Sequence, residues 1–202
     1  MDQPRTIKAV AFDAFGTLVE VTEERRPYVR IARASTIGVL AASITRPLDL
    51  GAFADMCGVR PNPEWNVDLE AELVSIRAFA ESRAVLVALR RAGYRIALAS
   101  NLALPYAAPL EALFADLLDC ACLSFEVGAA KPAPAFYRSL CLQLGCTPAE
   151  ILMVGDSWRS DYEGATRSGL QALHLDRRSV AQAGRGAVTI TDLRQLLAIL
   201  PV

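Results

Sequence analysis

Four short stretches of the chain hold residue types that handle anions. Asp13 and Thr17 stand in Phe12-Asp13-Ala14-Phe15-Gly16-Thr17-Leu18, and Ser100-Asn101 closes an apolar run. Lys131 precedes Pro132, and Gly155-Asp156-Ser157 is followed one turn later by Asp161. Together they supply a carboxylate, a hydroxyl, an ammonium and a carboxylate pair. Lysine is a flexible point charge that meets a phosphate or a carboxylate cluster without a bidentate fork. It is rare here: of 21 basic residues, only Lys8 and Lys131 are lysine and the other 19 are arginine. A carboxylate directly after a buried strand is costly unless it is paired or functional. The strands that deliver these groups therefore decide where they meet.

Short apolar runs alternate with helical patterns, as in βαβ units built on a parallel sheet. The spacing predicts strands at Ile7–Phe12, Tyr94–Ala99, Ala121–Phe125 and Ile151–Val154, with edge strands at Gln171–Leu175 and Val188–Ile190. Helices are predicted at Glu81–Ala92, Pro109–Leu118, Pro134–Leu144, Ser160–Ser168 and Asp192–Leu200, the last capped by Thr191. Thr147-Pro-Ala-Glu150 has capping-box spacing. In a doubly wound sheet, ligands bind outside the carboxyl ends of the strands. Asp13, Ser100, Lys131 and Asp156 follow four successive predicted strands, so they are expected at one edge. The stretch Val19–Phe79 breaks the alternation and reads as a helical insert. The expected division is a core of 1–18 and 80–202 with a cap of 19–79.

The composition narrows the function classes. The chain has 202 residues, 53% hydrophobic and 21% charged, with a net charge of −1. That balance suits a folded globular protein and gives no broad electrostatic footprint for nucleic acid. No apolar run reaches membrane-spanning length, and Met1–Lys8 lacks a signal-peptide core. A single histidine, His174, excludes a multi-histidine metal site and allows a Ser-His-Asp triad only through that residue. Five cysteines without a CxxC pair read as free thiols in a reducing cytoplasm.

The motifs DxxGT, hhhhSN, KP and GDSxxxDxxGA, in this order and spacing, resemble the haloacid dehalogenase-like (HAD) hydrolase superfamily, subfamily I with a helical C1 cap. The resemblance covers roughly 1–18 and 80–175. It implies an α/β fold with a doubly wound parallel sheet, a Rossmann-like core, and the insert as cap. It implies that Asp13 is the nucleophile, that Gly16 permits a tight turn, and that Thr17 positions the site. Ser100 and the Asn101 backbone N–H would hold the transferring group, and Lys131 would neutralise charge. Mg²⁺ would be bound by Asp13, the Phe15 backbone carbonyl and Asp156, with Asp161 behind it or hydrogen-bonded to Lys131.

One position departs from the phosphatase pattern. Those enzymes carry an acid/base aspartate two residues after the nucleophile, where this chain has Phe15. General acid–base catalysis contributes typically ~10²–10⁴-fold, so an alkyl phosphate with a poor leaving group should suffer most. An aromatic residue at this position resembles the 2-haloacid dehalogenase branch, whose halide leaves unprotonated. Asp156 points back to the phosphatases, because dehalogenases use no metal and tend to replace it. The leading expectation is Mg²⁺-dependent hydrolysis of a small phosphorylated metabolite. The alternatives are carbon–halogen hydrolysis and a non-catalytic, ligand-binding member. Expected partners are a small-molecule substrate, with no nucleic acid and no membrane; a homodimer through the cap is what the family allows. Arg25, Arg26, Arg30 and Arg33 read as a solvated helix face, Arg159 as a surface residue, and Trp65, Trp158, Tyr162 and His174 as packing residues.

Overall fold

The computed structural model describes residues 6–35, 39–60, 62–178 and 189–201. The first strand, β1 (Ala9–Phe12), reads AVAF and is buried at every position. Such a strand belongs inside a sheet covered on both faces. The faces are filled alternately. Val10 and Phe12 pack with Val85, Leu86, Leu110 and Phe114, while Ala9 and Ala11 pack with Phe136, Leu140 and Met153.

After β1 comes a short strand, β2 (Val19–Val21), then α1 (Pro27–Ala34), α2 (Leu40–Thr45), α3 (Leu50–Met56) and α4 (Pro63–Val74). The next strand, β3 (Ile76–Ala78), pairs antiparallel with β2, so a two-stranded ribbon leads into the helical insert and out of it. The sequence pattern missed this ribbon, because three-residue strands are too short to show a period. The insert has an apolar centre of its own, built on Tyr28, Ile31, Phe53 and Leu69.

The alternation then resumes with α5 (Ser82–Arg91), β4 (Arg95–Ser100), α6 (Ala107–Phe114), β5 (Cys120–Leu123), α7 (Ser124–Val127) and α8 (Pro134–Leu144). It continues through β6 (Ile151–Gly155), α9 (Gly164–Arg167), β7 (Gln171–Leu175), β8 (Thr189–Ile190) and α10 (Leu196–Ile199). The six longer-range strands pair in parallel in the order β5-β4-β1-β6-β7-β8. This is the α/β class expected from the alternation. The chain runs outward from β1 to one side through β4 and β5, then returns to the other side at β6. The carboxyl end of β1 is therefore the switch point at which such sheets bind ligands.

The sequence and the structure differ in detail at further places, among them the helix expected at Ser160–Ser168, which starts as a π-helical turn over Trp158–Glu163. Phe125 lies in α7 rather than a strand, because Ser124–Val127 forms one helical turn closed by Gly128 at φ 73°. Asp192, not Thr191, caps the last helical segment, its carboxylate accepting the Arg194 N–H at 2.8 Å. The strand β7 is one place inside the edge, because β8 pairs beyond it; Val188 lies outside the described residues.

Candidate active site

Asp13 is the first residue beyond β1, and its backbone N–H donates to the Val154 carbonyl of β6 at 2.9 Å. Burial is the price of that position: the residue is only 9% exposed. Lys131 answers it. The Lys131 ammonium donates to Asp13 Oδ1 at 2.8 Å, to Asp161 Oδ1 at 2.6 Å and to the Ala99 carbonyl at 2.6 Å. All three of its N–H donors are engaged in a buried site. Burial by itself would pull the lysine pKa down, but the two carboxylates outweigh it and hold the ammonium charged well beyond its ordinary range. Asp13 is driven the other way. Desolvation raises its carboxyl, Lys131 opposes that rise, and the Asp161 and Asp156 charges add to it.

The other strand ends complete the cluster. Thr17 Oγ1 accepts the Asp156 backbone N–H at 3.1 Å, which ties the β1 loop to the β6 loop. Asp161 Oδ2 accepts the Ser157 N–H at 2.9 Å, so both Asp161 oxygens are committed to protein donors. A Cβ on Gly155 would overlap Asp161, and a Cβ on Gly16 would overlap the Asp156 carboxylate; Gly16 also sits at φ +79°. Both positions therefore need glycine. Asp156 stands exposed at the rim, although its carboxyl leans over the β1 loop. Its pKa is raised, first by desolvation and next by the Asp161 charge.

Ser100 lies 1% exposed at the end of β4, and its Oγ is one of two buried side-chain polar atoms without a hydrogen-bond partner among the described residues. An orphan hydroxyl at a strand end in this cluster is a group waiting for an acceptor. Asn101, expected to act through its backbone N–H, also uses its side chain. Its Nδ2 donates to the Lys131 carbonyl and its Oδ1 accepts the Lys131 N–H, both at 2.8 Å. That pair of bonds fixes the lysine loop against β4.

Asp13, Asp156 and Asp161 place one carboxylate oxygen each within 4.8 Å of one another. The donors are all oxygen, and the cluster carries three carboxylates against one ammonium. A hard divalent cation such as Mg²⁺ fits that set in chemistry and in charge. Since Asp161 is held by Lys131 and Ser157, the oxygens left for a cation belong to Asp13 and Asp156.

Two further residues hold the surrounding segments together. Arg177, after β7, donates to the Gly16 carbonyl at 3.1 Å, the Thr17 carbonyl at 2.6 Å and Glu81 Oε1 at 2.6 Å. Its guanidinium also lies 3.8 Å from the Phe79 ring centre. It thereby clamps the β1 loop to the exit of the insert. Glu72, buried in α4, accepts the backbone N–H groups of Arg25 and Arg26 at 2.7 and 2.6 Å and the Tyr106 hydroxyl at 2.9 Å. No sequence signal marks either role, because each joins segments far apart in the chain.

Arg25 and Arg26 lie just before α1 and not on a helix face. Arg25, Arg26 and Arg30 are exposed and ion-paired with Glu23, Glu24 and Asp68, and Arg33 is exposed. Arg159 is exposed. Trp65 packs against the centre of the insert, and Trp158 stacks on Tyr162 at 4.4 Å. His174 Nε2 lies 2.9 Å from the Asp156 carbonyl, so it braces that loop.

Known proteins resemble this chain in sequence and in fold. The description haloacid dehalogenase-like hydrolase matches residues 7–169. Glyceraldehyde 3-phosphate phosphatase of Methanothermobacter thermautotrophicus is 29% identical over 134 residues, which cover 62% of this chain and 59% of that protein. The chain thus matches little more than half of that relative's length. A HAD phosphatase from Thermococcus onnurineus superposes with a TM-score of 0.70 at 23% identity, covering 96% of this chain and 97% of the other. L-2-haloacid dehalogenase from Xanthobacter autotrophicus superposes at 0.62 with 24% identity, covering 87% and 80%. At these identities the two structures show a shared fold, which both chemistries use.

Proposed function

The chain belongs to the haloacid dehalogenase-like hydrolases, and from that premise we propose that it hydrolyses a small phosphorylated metabolite with Mg²⁺ bound by Asp13, the Phe15 carbonyl and Asp156. The observation that carries this reading is the acidic cluster itself. Asp156 makes no ion pair among the described residues, and the cluster holds two carboxylates more than its lysine balances. A carbon–halogen hydrolase without metal has no use for that excess charge.

The chain's own residues divide the work. Asp13 is the nucleophile: a carboxylate oxygen attacks phosphorus, and the bond from phosphorus to the leaving oxygen breaks. Lys131 holds Asp13 by Oδ1 and offsets the charge that collects between nucleophile and phosphoryl group. The Ser100 hydroxyl donates to a phosphoryl oxygen, which gives its buried Oγ the partner it lacks. Asp161 fixes the lysine, and Thr17 fixes the Asp156 loop. Bound Mg²⁺ supplies neutralisation of phosphoryl and carboxylate charge. Water then attacks the aspartyl phosphate and regenerates Asp13. Phe15 can neither protonate the leaving group nor take a proton from that water, so both steps proceed without a general acid or base at position 15.

No helix among the described residues is long and apolar enough to cross a membrane, and all five cysteines are free. Those thiols support a cytoplasmic setting, with a homodimer through the insert as the proposed assembly. The test is phosphate release from 4-nitrophenyl phosphate, with Mg²⁺, with EDTA, and with Asp13→Asn. The reading expects release that needs both Mg²⁺ and Asp13. Absence of release under every metal condition counts against it.

A second reading, hydrolysis of a haloacid, has one specific observation in favour, Phe15 beside the nucleophile. It expects chloride release from 2-chloro acids that EDTA does not affect, and silence there removes it.

A further inference from the structure

Between the insert and the sheet lies a cavity of about 610 Å³, within the usual range of small-ligand sites. Its lining includes Phe15, two residues after Asp13, and Asn101 and Leu102, which directly follow Ser100. The cavity therefore adjoins the reacting groups through two of the strand-end loops. Leu40 and Ile44 from α2 and Val29 from α1 form the far wall. Three rings line it as well. Tyr106 meets Phe15 edge-on at 5.9 Å and lies 6.4 Å from Tyr28.

The polar side chains of the lining already have protein partners. Glu72 accepts three hydrogen bonds, one of them from Tyr106. Tyr28 donates to the Leu48 carbonyl at 3.1 Å, and Ser43 donates to the Leu40 carbonyl at 2.7 Å. Asn101 is held at both ends by Lys131. Glu24 and Arg26 pair with each other at the mouth. A guest in this cavity meets apolar and aromatic surface, with its polar side chains already satisfied.

A second observation concerns the chemistry of Phe15 rather than the shape of the cavity it lines. With Phe15 at the acid/base position, the leaving oxygen must depart with its electron pair and without a proton from that residue. Only an oxygen whose conjugate acid is strong enough does so readily. A phenol meets this condition, and its ring is the flat apolar body that an aromatic wall accommodates. We propose that the substrate is an aryl phosphate whose ring system occupies this cavity, an inference that rests on the phosphoryl-transfer reading above. The Asp13 carboxylate oxygen bonds to phosphorus as the phosphorus–aryloxy bond breaks. The electron pair leaves on the phenolate, which takes its proton from solvent. Water then attacks phosphorus, the bond to Asp13 breaks, and the water protons pass to phosphate and solvent.

The experiment compares kcat/KM for 2-naphthyl phosphate, acetyl phosphate and an unbranched alkyl phosphate with Mg²⁺, in the natural chain and in Leu40→Asp. Leu40 is 44% exposed on the cavity wall, so the aspartate is tolerated by the fold. Acetyl phosphate has a good leaving group and no ring; the alkyl ester has a poor one. The expected order is naphthyl above acetyl above alkyl, with naphthyl exceeding alkyl by about 10²-fold or more, the lower bound of general-acid help. Leu40→Asp should reduce the naphthyl-to-acetyl ratio by about tenfold, equivalent to about 1.4 kcal/mol. Release from none of the three overturns the phosphoryl-transfer reading itself. Release from the alkyl ester as fast as from the aryl ester overturns only the leaving-group inference. An unchanged naphthyl-to-acetyl ratio in Leu40→Asp overturns the assignment of the cavity.

Discussion

Phe15 and Asp156 pull the chemistry in opposite directions, and each can be tested by one substitution. Phe15 lines an apolar cavity and packs edge-on against Tyr106, so it is part of a wall as well as an absent acid. Phe15→Asp restores a group that can protonate a leaving oxygen. Its turnover of an alkyl phosphate should rise by about 10²-fold, at the low end of general acid–base effects, while aryl phosphate turnover changes far less. Steady-state kinetics on the two esters decides this. Asp156 has no ion pair among the described residues and adds to a cluster already rich in carboxylates. Asp156→Asn should raise the metal-free melting temperature and abolish the gain produced by Mg²⁺. A mutant that still gains stability from Mg²⁺ would place the cation elsewhere. That Asp13, Lys131, Asp156 and Asp161 come together was legible in the sequence because each belongs to a motif of fixed spacing, although Lys131 follows the short helix α7 and not a strand. The side-chain clamp of Asn101 on Lys131 was not, since the partners are 30 residues apart and nothing local records the contact.

At the scale of elements, the site depends on loops held by other segments. Strands buried on both faces were readable, because AVAF and ILMVG are uniformly apolar. The helices α5 and α8 were readable from their periodicity and from the closing Gly145 at φ 58°. The ribbon of β2 and β3 was not, because its pairing joins residues more than 50 positions apart. Arg177 belongs with that ribbon. It bonds two carbonyls of the β1 loop and the Glu81 carboxylate, and it lies over Phe79 just beyond β3. Arg177→Ala leaves two carbonyls and a largely buried Glu81 without this donor. The expected cost is about 1–3 kcal/mol of stability, read as a lower denaturation midpoint, with a fall in kcat because the Gly16–Thr17 turn loosens. Arg177→Lys should restore part of the stability but not the bidentate geometry. An unchanged kcat in the alanine variant would remove Arg177 from the positioning of Asp13.

For the whole molecule, the cluster links stability, pH and metal. Asp13 and Asp156 both titrate above their ordinary value of 3.8, chiefly through desolvation. The native metal-free protein therefore binds more protons than the unfolded chain as pH rises above 3.8. Stability contributed by these groups is complete below that pH and declines as pH climbs through their raised values. A bound divalent cation displaces those protons and offsets the decline. The melting-temperature gain from saturating Mg²⁺ should therefore be larger at pH 7.5 than at pH 5. An equal gain at both would detach metal binding from these carboxylates.

The central claim is that Asp13 becomes covalently phosphorylated. Since Phe15 cannot activate the attacking water, hydrolysis of the aspartyl phosphate should lag behind its formation, and the intermediate should accumulate. The direct measurement is acid quenching of the Mg²⁺-loaded protein during turnover of 4-nitrophenyl phosphate, followed by borohydride reduction and peptide mass spectrometry. The account predicts a burst of nitrophenol and reductive conversion of Asp13 to homoserine, both absent in Asp13→Asn. Sustained phosphate release with Asp13 unmodified, or from Asp13→Asn at the natural rate, would contradict it.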